Sequence, residues 1–161
     1  MSKYYYLISE LPFLKFNEKP FITKEFFLEE ARKWLNEKDF HILKGVNIDD
    51  FKQGKEKDIL GKYKKFEETL RQYIVSTRSR DQTTKHFSDV KAELLEGNPL
   101  KVEIKLFKKR WDFIESLELE HFFDIGFVIL YFLKLQILDK LSVFNKEEGL
   151  TVFDSLCEVK V

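Results

Sequence analysis

From Asn98 to Gly149 the apolar positions change their spacing twice, and the changes outline two helices. Leu100, Ile104, Phe107, Trp111 and Ile114 fall at i, i+4, i+7, i+11 and i+14, the stripe of an amphipathic helix. Asn98-Pro99 opens it: asparagine caps the first turn, and proline at the first helical position forfeits no hydrogen bond, because that amide is unpaired anyway. With the stripe buried, deleting the Trp111 ring costs about 3–5 kcal/mol. From about Phe122 to Val143 the chain is then apolar nearly all round, through Ile125, Val128, Leu130, Phe132, Leu135, Ile137, Leu138 and Leu141. Such a helix lies at the centre of a bundle, surrounded by others. Its densest window, Ile125 to Leu133, is bounded by Asp124 and Lys134 and falls well short of the roughly 20 residues that cross a bilayer, so no direct membrane span is expected.

The remaining pattern is also helical. Lys3–Ile8 reads either as a short strand or as the first turns of a helix, and no segment elsewhere alternates well enough to pair with it as a strand. Pro12 and Pro20 bracket a loop, after which Thr23 caps a helix with Glu25 in its first turn and Ile22 placed to staple onto Phe27. Phe27, Ala31, Trp34 and Leu35 form its apolar face, and Asn36 ends it. A shorter helical turn follows with Phe40, Ile42 and Leu43 inward and Gly45 as its stop, then a polar loop from Asn47 to Lys57 containing Gly54. Ile59, Tyr63, Phe66, Leu70, Tyr73 and Thr77 recur near a 3.5-residue period and predict a helix of about five turns packed along a similar one. Lys64, Lys65, Glu67 and Glu68 take its outer face. Short helices carrying Phe87, Val90, Leu94 and Leu95, closed by Gly97, and Leu150, Phe153 and Leu156 complete the reading. The fold class is therefore all-α: one helical domain over 1–161, an irregular multi-helix bundle around a central apolar helix at about 122–143, with a short N-terminal strand as the one β alternative.

Composition narrows the function classes. In 161 residues, 28 basic and 28 acidic side chains cancel, which weighs against nucleic acid as a partner. With 43% hydrophobic and 35% charged residues the chain is neither disordered nor membrane-spanning. Cys157 is the single cysteine, so no internal disulfide forms, and no signal-peptide pattern opens the chain; both fit a cytoplasmic protein. Seventeen phenylalanines against two alanines (Ala31 and Ala92) admit a Phe-rich interface or a plain compositional bias filling ordinary core positions.

Catalytic patterns are missing from the sequence. His41, His86 and His121 have no histidine or cysteine at i+3 or i+4 to make a zinc site, and there is no Gly-rich phosphate loop, GxSxG, HExxH or EF-hand loop. His121, flanked by Glu120 and Asp124, reads as a helix-boundary residue that orders the interhelical turn, with a catalytic or ligand role as the competing reading. Glu115 and Glu118 make an acidic flank rather than a metal face. No catalytic residue, cofactor or metal is expected. Lys105, Lys108, Lys109 and Arg110 are placed on the solvent side of the Leu100–Ile114 stripe. Arg71, Arg78 and Arg80, around the end of the long seam helix, complement its dipole or form a partner interface, for which the preorganised arginine fork is suited.

Several segments carry a family resemblance: Tyr4-Tyr5-Tyr6-Leu7-Ile8 with Leu11-Pro12, Pro20–Phe26, Leu70-Arg71 with Arg78, and Asn98-Pro99-Leu100 with Glu103. Arg110-Trp111-Asp112, His121-Phe122-Phe123-Asp124, Tyr131–Leu138, and Phe144 with Glu147-Glu148-Gly149 continue it. In this order the chain resembles DUF2764, a family of small bacterial proteins of unknown function whose genes sit among V-type (archaeal-type) ATPase subunit genes. Relatives of that family are often longer, so this chain reads as a compact version. The resemblance implies a non-catalytic component or assembly and coupling factor of a V-type ATPase, central-stalk-like, with ATPase subunits as partners and a cytoplasmic place peripheral to the inner membrane through that complex. A helical adaptor or regulator unrelated to the ATPase is the alternative.

Overall fold

The computed structural model describes residues 2–52, 58–79 and 92–144 together with residue 157. Within them the chain forms α1 (Ser2–Glu10), α2 (Lys24–Trp34), α3 (Glu37–Gly45), α4 (Ile59–Ser79), a 3-10 turn (Ala92–Leu95), α5 (Pro99–Glu118) and α6 (Ile125–Ser142). The architecture is all-α, and the described residues contain no strand. Arg80, His86, Phe87, Val90, Gly54 and the Leu150–Leu156 segment lie outside the described residues.

The N-terminal segment is a helix, which removes the strand alternative. Tyr4, Leu7, Ile8 and Leu11 turn inward at i, i+3, i+4 and i+7, a helical period that also leaves no backbone group waiting for a partner strand. Thr23 caps α2 by accepting from the Phe26 amide at 3.2 Å. Leu35 and not Asn36 is the C-cap of α2; the Asn36 side chain accepts from the Asp39 amide at 2.8 Å and starts α3. Gly45 is the last residue of α3, with Val46 as its C-cap; Ile42 faces out rather than in. Asn98 and Asp124 cap α5 and α6.

Helix α6 is the axis of the bundle, contacted by α1, α2, α3 and α5. Its residues from Val128 to Leu138 are buried without interruption, including Lys134 and Gln136. Phe27 of α2 stacks on Tyr131 and Phe132 with ring centroids 5.4 and 5.3 Å away. Gln136 pins the segment after α3: its amide donates to the Val46 carbonyl and its oxygen accepts from the Ile48 amide, both at 2.9 Å. Tyr63 of α4 donates to the Ile48 carbonyl at 3.0 Å, so this strap is held from both sides. The loop between α1 and α2 is fastened as well: Tyr131 donates to the Pro12 carbonyl at 2.7 Å, Leu14 is buried, and Phe16 meets Trp111 edge-on at 5.6 Å.

Helix α5 buries two faces rather than one stripe. Phe107, Trp111 and Ile114 enter the main core, while Val102 and Leu106 pack on Leu70 of α4 in a smaller cluster with Phe66 and Ile74. Leu100, at the start of the predicted stripe, is exposed and belongs to neither buried cluster. On α4, Thr77 is exposed as well, and the side chain filling the middle of the inner face is Glu67, fully buried, which corrects its assignment to the outer face.

Candidate functional site

The connection from α5 to α6 is a tight turn built around Asp124. One carboxylate oxygen accepts from the Phe127 amide at 2.9 Å, and the other lies 2.6 Å from Nδ1 of His121. Phe123 takes φ +48°, left-handed backbone that a bulky residue adopts only when its surroundings impose it. The imidazole of His121 rests directly on Gly126: a Cβ there would sit 2.6 Å from Nδ1. Gly126→Ala is accordingly expected to cost about 1 kcal/mol, overpacking outweighing the helix propensity gained. In a His121→Ala background the same change should stabilise by about 0.5–1 kcal/mol, since only propensity remains. Urea midpoints of the four proteins measure this, and effects of the same sign in both backgrounds would refute the contact.

His121 also faces a cleft of about 850 Å³ between the end of α3, the 46–50 strap, and the first turns of α4 and α6. Ile59, Ile125 and Ile129 give it an aliphatic wall, and most of its polar lining is engaged within the chain. Lys64 pairs with Asp50 at 3.2 Å, and this hydrogen bond holds the Asp50 carboxyl below its ordinary range. Lys62 pairs with Glu120 at 3.0 Å and likewise holds that carboxyl low. Burial pushes the Tyr63 phenol up while its hydroxyl is spent on Ile48.

An aromatic face lies on the other side of the same turn. Tyr5 and Tyr6 of α1 meet edge-on at 6.0 Å, Tyr5 lies 5.1 Å from Phe123, and Tyr6 stacks on Trp34 at 5.4 Å. Tyr5, Tyr6 and Phe123 are 52%, 51% and 49% exposed, so each ring shows one side to its neighbours and the other to solvent. Beside them Tyr4 donates to the Asp39 carboxylate; desolvation, then this bond, push its phenol up to about 12. The three tyrosines run consecutively, so helical geometry sends them in different directions: Tyr4 is half-buried at α3, while its two successors face out. Sequence periodicity missed this face, since Phe122-Phe123 falls in the break between two helices, where no period applies.

The arginines named as a partner interface are divided. Arg71 points along its own helix to Glu67 (Nε to Oε1, 2.9 Å), reaches the Asp49 carbonyl at 3.4 Å and lies over the Phe51 ring at 4.3 Å. Arg78 is exposed in the last turn of α4, and Arg80 lies outside the described residues. Arg110, assigned to the solvent side, is turned inward: Nε and Nη2 donate to the two oxygens of Glu67 at 2.8 and 2.9 Å. Lys108 stays outside with Asp112 at 2.7 Å. Glu118 and Glu115 both serve the buried Lys134, at 2.6 and 3.5 Å. Burial raises the Glu118 carboxyl against the opposing pull of Lys134. Among the described residues no cluster of histidine, cysteine or carboxylates is arranged to hold a metal ion, and no helix is long and apolar enough to cross a membrane. No protein-family model matches this chain, and neither a curated protein nor a solved structure matches it.

Proposed function

We propose that the protein is a non-catalytic component or assembly and coupling factor of a V-type ATPase that works through protein–protein contacts, in a position resembling a central-stalk subunit. The observation that carries this reading is the meeting of Tyr5 with Phe123. These residues belong to the Tyr4–Ile8 and His121–Asp124 segments, two of those that carry the family resemblance, and they come from distant parts of the chain to build one exposed aromatic face. Half-exposed, mutually supported aromatics are the side chains on which protein interfaces concentrate their binding energy. The pairing of Lys62, Lys64 and Tyr63 within the chain supports a structural rather than catalytic use of the cleft.

Affinity purification of the tagged chain from its own cells, read by mass spectrometry, tests the proposal. ATPase subunits should co-purify, and Tyr5→Ala with Phe123→Ala should lower their recovery about tenfold or more, since two interface aromatics are removed without touching the core. Recovery of the chain as a free monomer from intact membranes and extracts sinks the proposal. Stable capture of some other protein through the same face instead establishes the unrelated adaptor.

The contact between His121 and Asp124 at the edge of a cleft favours a second reading, a small-ligand or catalytic site in which Asp124 orients the imidazole. Screening small metabolites by NMR decides it: ligand-induced shifts centred on the His121 ring and lost in Asp124→Asn support it, and a silent screen removes it.

A further inference from the structure

A second apolar feature differs in kind from the aromatic face. Phe13 and Phe21 are 79% and 88% exposed, and both stand on the loop between α1 and α2. Among the described residues neither has a neighbouring ring to support it as Tyr5, Tyr6 and Phe123 have. The loop beneath them is nonetheless firmly seated. Pro12 is held by Tyr131, Leu14 is in the core, and Phe16 packs on Trp111. Asn17 reverses the chain there with φ +64°. Leu14 and Phe16, which lie between the two rings in sequence, fasten the connection that carries both. The charged residues from Leu11 to Thr23 are Lys15, Glu18 and Lys19, a balance of two cations to one anion. Lys15 reaches Glu18 only at 3.7 Å, with both side chains well solvated, and Lys19 is exposed.

We infer that this loop inserts Phe13 and Phe21 into the headgroup region of an anionic lipid bilayer, with Lys15 and Lys19 at the phosphate level. A protein partner gains from rings that already form a surface it can cover, whereas isolated side chains on a protruding loop need a medium that closes around each one. The fluid interface of a bilayer supplies it, and aromatic rings beside lysines are the composition that settles there. Because Leu14 and Phe16 fix the loop from below, Phe13 and Phe21 do not fold back when lipid is absent, so little ordering opposes insertion.

Co-sedimentation of the purified full chain with sucrose-loaded vesicles tests this without any ATPase present, so its outcome is independent of the complex proposed above. Vesicles of equal parts phosphatidylglycerol and phosphatidylcholine should pellet the protein, and pure phosphatidylcholine should do so about fivefold less well, the effect of one net charge at the surface. Phe13→Ser should weaken pelleting about tenfold and Phe13→Ser with Phe21→Ser should abolish it. Lys15→Gln with Lys19→Gln should remove the preference for anionic lipid but not all binding. Unchanged circular dichroism shows that the variants remain folded. Protein left in the supernatant with both vesicles, or pelleting that the double serine variant retains, overturns the inference, and the loop is then a protein-docking element.

Discussion

Replacing Glu67 with alanine is expected to lower the stability of this protein by about 3–5 kcal/mol, although glutamate on a helix is usually a surface residue. Its side chain is fully buried, and both oxygens are occupied: Oε1 accepts from Arg71 and Arg110, and Oε2 from Arg110 again. Arg71 is partly exposed and can turn to water once the carboxylate is gone. Arg110 cannot, because its side chain is only 12% exposed, and a guanidinium does not shed its charge. Burial by itself would loosen the Arg110 proton, yet the hydrogen bonds and charge of Glu67 more than offset that and hold it more tightly than usual. The alanine variant thus leaves an unpaired cation between α4 and α5. Glu67→Leu combined with Arg110→Leu should recover most of the loss, because it removes the stranded charge with its partner. Urea denaturation of the three proteins provides the measurement. A loss below about 1 kcal/mol for the single variant, or no recovery in the double, would contradict this account.

Trp111→Ala should cost a similar amount, about 3–5 kcal/mol, by a different route. The indole is 1% exposed at the junction of α5, α6 and the α1–α2 loop. Phe16 meets its edge, the Lys134 ammonium lies 4.9 Å from a ring centroid, and Nε1 donates to Glu115 at 2.8 Å. Truncation opens a cavity beneath the loop and takes away the ring that shares Lys134 with its two carboxylates. Trp111→Phe keeps most of the volume and should cost only about 1–2 kcal/mol, because Glu115 is exposed and regains water. Equal losses for the two substitutions would mean that the hydrogen bond, and not packing, is what the indole contributes.

The parts of the fold legible in the sequence are those governed by neighbours three or four residues away. Thr23 and Asn98 cap helices by reaching their own backbone, so their roles can be read locally, whereas the apolar run places the start of α6 at about Phe122 and hides the Asp124 cap. The central place of α6 follows from the lack of any polar face. Charged and polar residues whose partners are distant were not legible. Glu67 answers to Arg110 on another helix, and Gln136 to a strap far back in the chain. Hydropathy counts both as solvent-seeking, and nothing local marks them as satisfied. Leu100 fails in the opposite sense: it holds the right helical spacing and is nonetheless exposed. For the aromatic face, the residues were visible but their meeting was not: Tyr5 and Phe123 are joined by the tertiary fold alone.

The order in which the ribosome delivers these helices adds a consequence of its own. The helix that α1, α2, α3 and α5 all pack against is the last of the described helices to be made. Until it emerges, the inward faces of its four neighbours have no common surface to close upon, so the nascent chain carries Phe27 and Leu43 without their α6 partners through most of its synthesis. The core these neighbours share with α6 therefore closes only after Ile125 and its successors have been made, and a chain halted before Ile125 lacks the helix that buries these side chains.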